Sequence, residues 1–143
     1  MDRDPLIAKH LELIQGVVDR LASNSFSLKS WAVLLAAAVL GVGGKSDVPM
    51  AFYSIALVPI CVFWGLDGFF LAHRRQFEAL YEYWAEKLGT SPEETAQALF
   101  SMNRTGIACP QGTWLNAVAS TTLLFFYVGL AALCMAVGWC LAK

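Results

Sequence analysis

One carboxylate in the sequence lies where a carboxylate is costly. Asp67 sits near the end of the apolar stretch 48–72, which is long enough to cross a bilayer. A charge at that depth is tolerated only if it is paired, hydrated or protonated. Three roles are therefore open to Asp67: a lock that pairs two helices, a relay for ions or protons, or a switch that a ligand breaks. A constitutive pair is the commonest of these roles.

The partners of Asp67 follow from the turn that precedes its helix. Residues 43–47 form a short Gly-rich turn, so the helices on either side must be antiparallel neighbours, and residues whose numbers sum to roughly 90 lie at similar depth. This register places Asp67 opposite residues 23–25, while Lys29 lies one turn deeper on a stem that can reach back toward the interface. We therefore predict a polar layer at the membrane boundary, formed by Asn24, Ser25, Lys29 and Asp67.

Three arginines form a second candidate site. Arg74 and Arg75 directly follow the second apolar stretch, and Arg104 lies in the loop that comes later. Guanidinium groups match phosphate oxygens, so these residues could grip a phosphate-bearing ligand. The plainer interpretation is that Arg74 and Arg75 fix the orientation of the span by their charge at the membrane surface.

The composition and the apolar runs predict an all-α membrane protein. The chain has 143 residues, 57% of them hydrophobic and only 15% charged, which is unusual for a soluble domain. Its apolar runs predict three transmembrane helices, the first two extended into a small cytosolic helical head. The predicted divisions are 1–27 for a cytosolic amphipathic helix, 28–44 and 48–72 for the first two spans, 73–113 for a cytosolic extension, helix and loop, and 114–142 for the third span.

The polar extensions of the first two spans carry apolar residues at three-to-four spacing, which is typical of amphipathic helices. Asp4 and Pro5 can begin the first helix, and Ser91 with Pro92 resembles the start of a third cytosolic helix. We expect the head to consist of residues 5–27, 72–88 and 92–103.

Charge at the ends of the spans predicts the orientation. Lys and Arg residues are concentrated before the first span and after the second, whereas the turn between them carries only Lys45 and Asp47. We therefore expect a cytoplasmic N-terminus and an outer C-terminus. A charged amphipathic segment precedes the first apolar run, which lacks a convincing cleavage site, so that run is expected to be a retained span and no cleavable signal peptide.

Several functional classes are disfavoured by the sequence. The four cysteines have no CxxC or metal-ligand spacing, and His10 and His73 have no third ligand at helical spacing, so we expect neither a metal nor a cofactor. No nucleophile with a base and no paired carboxylates in a cleft are recognisable, which argues against an enzyme. A formal net charge of −1 gives no basic field for nucleic acid.

Two blocks of the sequence resemble a family of small bacterial inner-membrane proteins. The first block runs from His10 to Trp31, and the second comprises residues 63–71 and 75–81. Such proteins are similar to membrane effectors associated with antiphage defence, including systems whose TIR-domain partners make nucleotide messengers. The blocks contain Asn24, Ser25, Lys29, Asp67 and Arg75.

The resemblance implies a non-enzymatic effector in which a cytosolic signal, nucleotide-derived or a signalling protein, drives the chain to oligomerise and compromise the inner membrane. The residues leave two rivals open. One is a constitutive structural or adaptor protein that recruits a cytosolic partner, with Asp67 as a packing lock. The other is a small oligomer that conducts ions or protons through a titrating Asp67.

Overall fold

The computed structural model describes residues 4–44, 48–90, 102–103, 107 and 109–141. All its regular elements are helical, which confirms the predicted all-α class, and three helices are long and apolar enough to cross a membrane. Among the described residues, Ser54–Ala56 and Pro110–Gly112 form 3-10 turns. In chain order the α-helices are α1 (Asp4–Gly43), α2 (Met50–Tyr53), α3 (Leu57–Thr90), α4 (Trp114–Val118) and α5 (Thr121–Leu141).

The lengths of the helices explain why the protein has a head. At 1.5 Å per residue, α1 with its 40 residues is about 60 Å long and α3 with its 34 residues about 51 Å, against about 30 Å of hydrocarbon. The 21 residues of α5 span only about 31 Å. Both α1 and α3 must therefore project beyond the bilayer. Their projecting parts, residues 5–27 and 72–88, are called the head below.

The start of the second span is less regular than its end. After α2, Ser54–Ala56 form a 3-10 turn, and α3 begins at Leu57. Pro59 lies one turn after this 3-10 segment and cannot donate the backbone hydrogen bond that a continuous α-helix would need there. The missing donor accounts for the local change in helix type.

The third predicted span, 114–142, is divided in two. Helix α4 ends at Val118, the backbone leaves helical geometry at Ala119, and α5 starts at Thr121. The amide of Ser120 donates to the carbonyl of Ala117 at 3.0 Å, a turn tighter than the α-helix allows. α4 thus packs against α3, while α5 crosses the membrane. The helix predicted at 92–103 lies outside the described residues, except for Met102 and Asn103, which are not helical.

Small residues allow the three spans to approach closely. Ala32 and Ala36, one turn apart on α1, are buried against α3 and α5, as is usual where helices pack inside a membrane. At the end opposite the head, Tyr53 is 0% exposed and donates from its hydroxyl to the carbonyl of Gly43 at 2.5 Å. Gly138 of α5 faces the same ring. The buried core of the spans comprises Ala32, Ala36, Ala56, Ile60, Leu123, Tyr127 and Cys134.

The head has a small core of its own. Ile14 of α1 packs with Leu80 and Trp84 of α3, as the amphipathic pattern predicts. Next to this cluster His10 is 0% exposed, and its ring meets that of Trp84 edge-on, with 5.4 Å between centroids. Burial lowers the pKa of His10 below its ordinary value of 6.5, because the charged imidazolium loses solvation.

This lowered pKa makes the stability of the head depend on pH. The unfolded chain binds a proton at His10 at a higher pH than the folded protein does, so the free energy of unfolding should fall as the pH drops from 6.5 through the lowered pKa. Thermal unfolding of the detergent-purified protein between pH 8 and pH 5 measures this loss. A His10→Leu variant should lose the dependence, whereas His73→Gln should keep it. An unchanged pH profile in His10→Leu would show that His10 is not its source.

Candidate functional site

A buried polar cluster joins all three spans at the base of the head. Asp67 of α3 is 0% exposed, and its two carboxylate oxygens accept hydrogen bonds from α1 and α5. Ser25 Oγ donates to Oδ1, and Lys29 Nζ donates to Oδ2. Tyr127 Oη donates to Oδ2 at 3.2 Å. We call Ser25, Lys29, Asp67 and Tyr127 the Asp67 cluster.

Helix geometry explains which residues of α1 reach Asp67. Ser25 and Lys29 are four residues apart and therefore lie on one face, where Lys29 Nζ also donates to Ser25 Oγ at 2.8 Å. Asn24 precedes Ser25 by one residue, which turns it by about 100° around the helix, and its side chain is exposed outside the cluster. The structure thus brings together Ser25, Lys29 and Asp67 of the predicted layer, but not Asn24.

The pairing confirms the antiparallel register expected from the short turn. Ser25 and Asp67 sum to 92, and the head pair His10 and Trp84 sums to 94. The Lys29 side chain is 22% exposed and that of Asp67 is 0% exposed, so the pair is shielded on the Asp67 side. Removing one partner from such a pair is costly, since the other charge stays buried without compensation.

Tyr127 was not among the residues singled out from the sequence. It is buried on α5, where the indole ring of Trp64 stacks on it with centroids 6.3 Å apart and an interplanar angle of 16°. Trp64 Nε1 donates to the carbonyl of Val118 at 3.1 Å. That carbonyl belongs to the last turn of α4, where helix carbonyls lack intrahelical donors. Trp64 therefore ties α3 to both α4 and α5.

The segment Cys109–Val118, which we call the strap, is fastened along α3 at its head end. Arg75 Nη1 donates to the carbonyl of Gln111 at 3.1 Å, and Gln76 Nε2 donates to that of Gly112 at 2.7 Å. A Cβ on Gly112 would lie 2.7 Å from Cγ of Gln76, so only glycine fits this approach. Two consecutive side chains of α3 thus hold two consecutive carbonyls of the strap.

The strap is fastened again at the level of the Asp67 cluster. Trp114 Nε1 donates to the carbonyl of Gly65 at 3.0 Å, and Trp64 makes the bond to Val118 described above. Gly68 allows α4 to lie directly on α3, since a Cβ there would be 2.3 Å from Cγ2 of Val118. The strap therefore runs along α3 from the head to the membrane and continues into α5.

Of the three arginines proposed as a phosphate site, the two that the structure describes, Arg74 and Arg75, bond to different partners. Arg74 Nε pairs with Glu78 Oε1 at 2.8 Å, with the two side chains 42% and 41% exposed. Arg75 is engaged with the strap instead, because consecutive residues of a helix point in different directions. Arg104 lies outside the described residues. A groove of about 340 Å³ lies beside Arg75, but Glu78 and Glu82 also line it, and their charge disfavours an anion.

The cluster is poorly suited to nucleophilic catalysis. Ser25 and Lys29 are the residue types of a serine–lysine pair, in which a neutral amine must accept the hydroxyl proton. Here the lysine donates to both Ser25 and Asp67, and an ammonium group has no acceptor site. Asp67 instead accepts from Ser25, Lys29 and Tyr127. In this arrangement Asp67 links α3 to α1 and α5, and its role as a lock, a relay or a switch stays a prediction.

The fold and the cluster define the chain as an all-α multi-pass membrane protein. No family model, curated protein or solved structure matches it. The resemblance of the two sequence blocks to small bacterial membrane proteins therefore stays a prediction.

Proposed function

We propose that this protein is a non-enzymatic membrane effector of bacterial antiphage defence. A signal reaches the head in the cytoplasm, the Asp67 cluster opens, and copies of the chain assemble and compromise the inner membrane. The observation that carries the proposal is that one carboxylate, at the base of the head, holds all three spans together. A single local change at this point can alter the packing of every span.

The continuity of the helices supports coupling between the head and the membrane. α1 and α3 each run without interruption from the head into the bilayer, so a displacement of the head helices extends to Lys29 and Asp67. The cluster is fully hydrogen-bonded in the present arrangement, which suits a resting state. A signal opens it only by binding the open or assembled state more tightly than the closed one.

The cellular setting of the proposal comes from the sequence. All but Lys45 and Lys143 of the ten Lys and Arg residues lie on the head side of the spans, which supports a cytoplasmic head. The antiphage role and the bacterial inner membrane rest on the resemblance of the two sequence blocks. Reporters fused at Asp47 and after Lys143 test the orientation, and cytoplasmic signals at both positions would refute it.

Assembly of several copies would use the outward face of α5. Phe125 is 84% exposed there, and Gly129 leaves a notch one turn away, since nothing lies within 4 Å of a Cβ placed on it. A groove of about 520 Å³ surrounds these positions. Lipid fills it in a single chain, and a neighbouring helix would fill it in an oligomer.

The nature of the signal divides the proposal into two forms. A nucleotide-derived messenger needs cations, and the groove beside Arg75 also presents Glu78 and Glu82, so Arg104 would have to contribute. A signalling protein could instead recognise the alternating charges of the head. The satisfied Asp67 cluster favours a second candidate function, a constitutive adaptor whose spans do not move.

The first experiment measures thermal stability and oligomer size of the detergent-purified protein with cyclic nucleotides and ADP-ribose-derived molecules, because a ligand that prefers one folded state must stabilise it. A saturable shift that both Arg75→Ala and Arg104→Ala abolish and Arg20→Ala preserves would support a nucleotide signal, whereas loss in Arg75→Ala alone would reflect its bond to the strap. Phage infection tests the whole proposal in cells that express the protein together with the products of its neighbouring genes. The quantity measured is depolarisation of the inner membrane. Intact membrane potential during a defence response would refute the effector function.

A further inference from the structure

We infer that the strap, Cys109–Val118, is the device that regulates the Asp67 cluster from the head. It is hydrogen-bonded to the head side of α3 and leads into α5, which supplies Tyr127. The regulatory role of the strap rests on the proposed function. The contacts between the strap, α3 and α5 are independent of it. It assigns positioning roles to Gln76 and Trp64, which lie outside the cluster itself.

The height of α5 in the membrane depends on the position of α4. Only two residues, Ala119 and Ser120, separate the last residue of α4 from the first of α5. The three Cα–Cα steps from Val118 to Thr121 span at most about 11 Å, so the position of α4 restricts the position of Tyr127 along the membrane normal. A shift of α4 along α3 that exceeds this reach therefore moves the Tyr127 hydroxyl relative to the Asp67 carboxylate.

Side-chain hydrogen bonds from α3 hold the strap, including α4, in place. Trp64 donates to the carbonyl of Val118 and stacks on Tyr127, so one side chain contacts both the strap and the Asp67 cluster. At the head end, Gln76 and Arg75 hold the carbonyls of Gly112 and Gln111. The Arg75–Gln111 bond is exposed and can be exchanged for water or for a partner's donors at modest cost, whereas the Gln76–Gly112 bond is partly buried and holds the strap more firmly. The strap can thus be released at one end without unfolding a helix.

Release of the strap at the head and opening of the Asp67 cluster must be coupled in both directions. If freeing Gly112 favours separation of Tyr127 from Asp67, then breaking the Tyr127–Asp67 bond must favour freeing of the strap by the same factor. A merely local role for Gln76 would loosen the strap and leave α5 unchanged. Reciprocity therefore separates a regulatory element from a structural loop.

Amide hydrogen exchange of the detergent-purified full chain, without any added signal, tests this coupling. In Gln76→Ala, we expect exchange in the second turn of α5, residues 124–128, to rise by at least about fivefold, the low end of typical couplings between sites. In Tyr127→Phe, the strap amides of Gly112 and Ala117, which are hydrogen-bonded in the structure, should exchange faster by a similar factor.

The matched control is Gln15→Ala, which removes another side-chain hydrogen bond of the head, to Asp19 at 3.4 Å, and should leave α5 unchanged. Faster exchange confined to the strap in Gln76→Ala, or to α5 in Tyr127→Phe, would overturn the inference. Trp64→Phe keeps an aromatic ring at this position but loses the bond to Val118. It is an independent variant in case one of the others misfolds, and it should accelerate exchange in both regions. Reciprocal exchange in a protein that responds to no signal would uphold the strap and refute the effector function.

Discussion

Asp67→Asn should lower the free energy of unfolding by about 3 kcal/mol, at the lower end of the range for breaking a buried ion pair. The carboxamide keeps the shape of the carboxylate but leaves the Lys29 ammonium without its counter-charge, and it competes as a donor with Ser25 and Tyr127. The lower end applies because the Lys29 side chain is 22% exposed and can turn toward the interface. Thermal unfolding in detergent micelles measures the loss.

Two further variants serve as controls for the stability of Asp67→Asn. Glu78→Gln removes the exposed pair with Arg74 and should cost less than about 1 kcal/mol. The double variant Lys29→Met with Asp67→Asn removes both charges and should recover most of the stability, since a neutral replacement of a buried pair is often tolerated. If Asp67→Asn costs no more than Glu78→Gln, the cluster is not a lock.

The same substitution separates the proposed functions. A signal-gated effector predicts that Asp67→Asn is either silent during infection or toxic without it, with partner binding unchanged. A constitutive adaptor predicts weaker assembly or stability without toxicity. A conducting oligomer predicts lost flux in a folded protein. Asp67 is 0% exposed and accepts three hydrogen bonds within one chain, and conduction would require these bonds to be replaced by water.

The α1–α3 pair could be predicted because a short turn fixes the register of two long helices. Given that turn, the depth of Asp67 follows by counting, and the four-residue spacing of Ser25 and Lys29 supplies one face. Asn24 was included in the predicted layer because counting gives depth but not rotation about the helix axis. The head core was recognisable for a similar reason, since its apolar residues recur at helical spacing.

The contribution of α5 could not be predicted in the same way. Thirty residues, 91–120, separate the end of α3 from the start of α5. A connection of this length does not fix the register of α5 against α3. The apolar composition of α5 is nearly uniform around the helix, so no polar face marks Tyr127 as inward. Tyr127 and its neighbour Trp64 were therefore indistinguishable from aromatic residues that face lipid.

The arginines illustrate a further limit. The sequence places Arg74 and Arg75 at the membrane boundary but does not show that Arg75 bonds to a carbonyl of the strap. That acceptor is 36 residues away in the chain, and it becomes available only because Gly112 lets the strap lie against Gln76. A cation that looks free for a ligand in the sequence can therefore be committed to the fold.

Gly138→Ala should destabilise the protein by about 1–3 kcal/mol, the usual cost of an added methyl group in a tightly packed core. Its Cβ would lie 2.6 Å from Cγ and 2.8 Å from Cβ of Tyr53, which cannot yield because its hydroxyl is bonded to the carbonyl of Gly43. This contact closes the three-span bundle at the end opposite the head. Unfolding in detergent, compared with the parent protein, measures the effect.

Gly129→Ala is the matched control for this substitution. Gly129 lies on the same helix, but nothing is within 4 Å of a Cβ placed there, so the added methyl group should be neutral or slightly stabilising through helix propensity. Because both changes replace glycine by alanine in α5, the difference between them isolates the packing against Tyr53. Equal effects at the two positions would mean that α5 does not dock on Tyr53. The Tyr127–Asp67 bond would then have to hold the third span without support from the opposite end of the bundle.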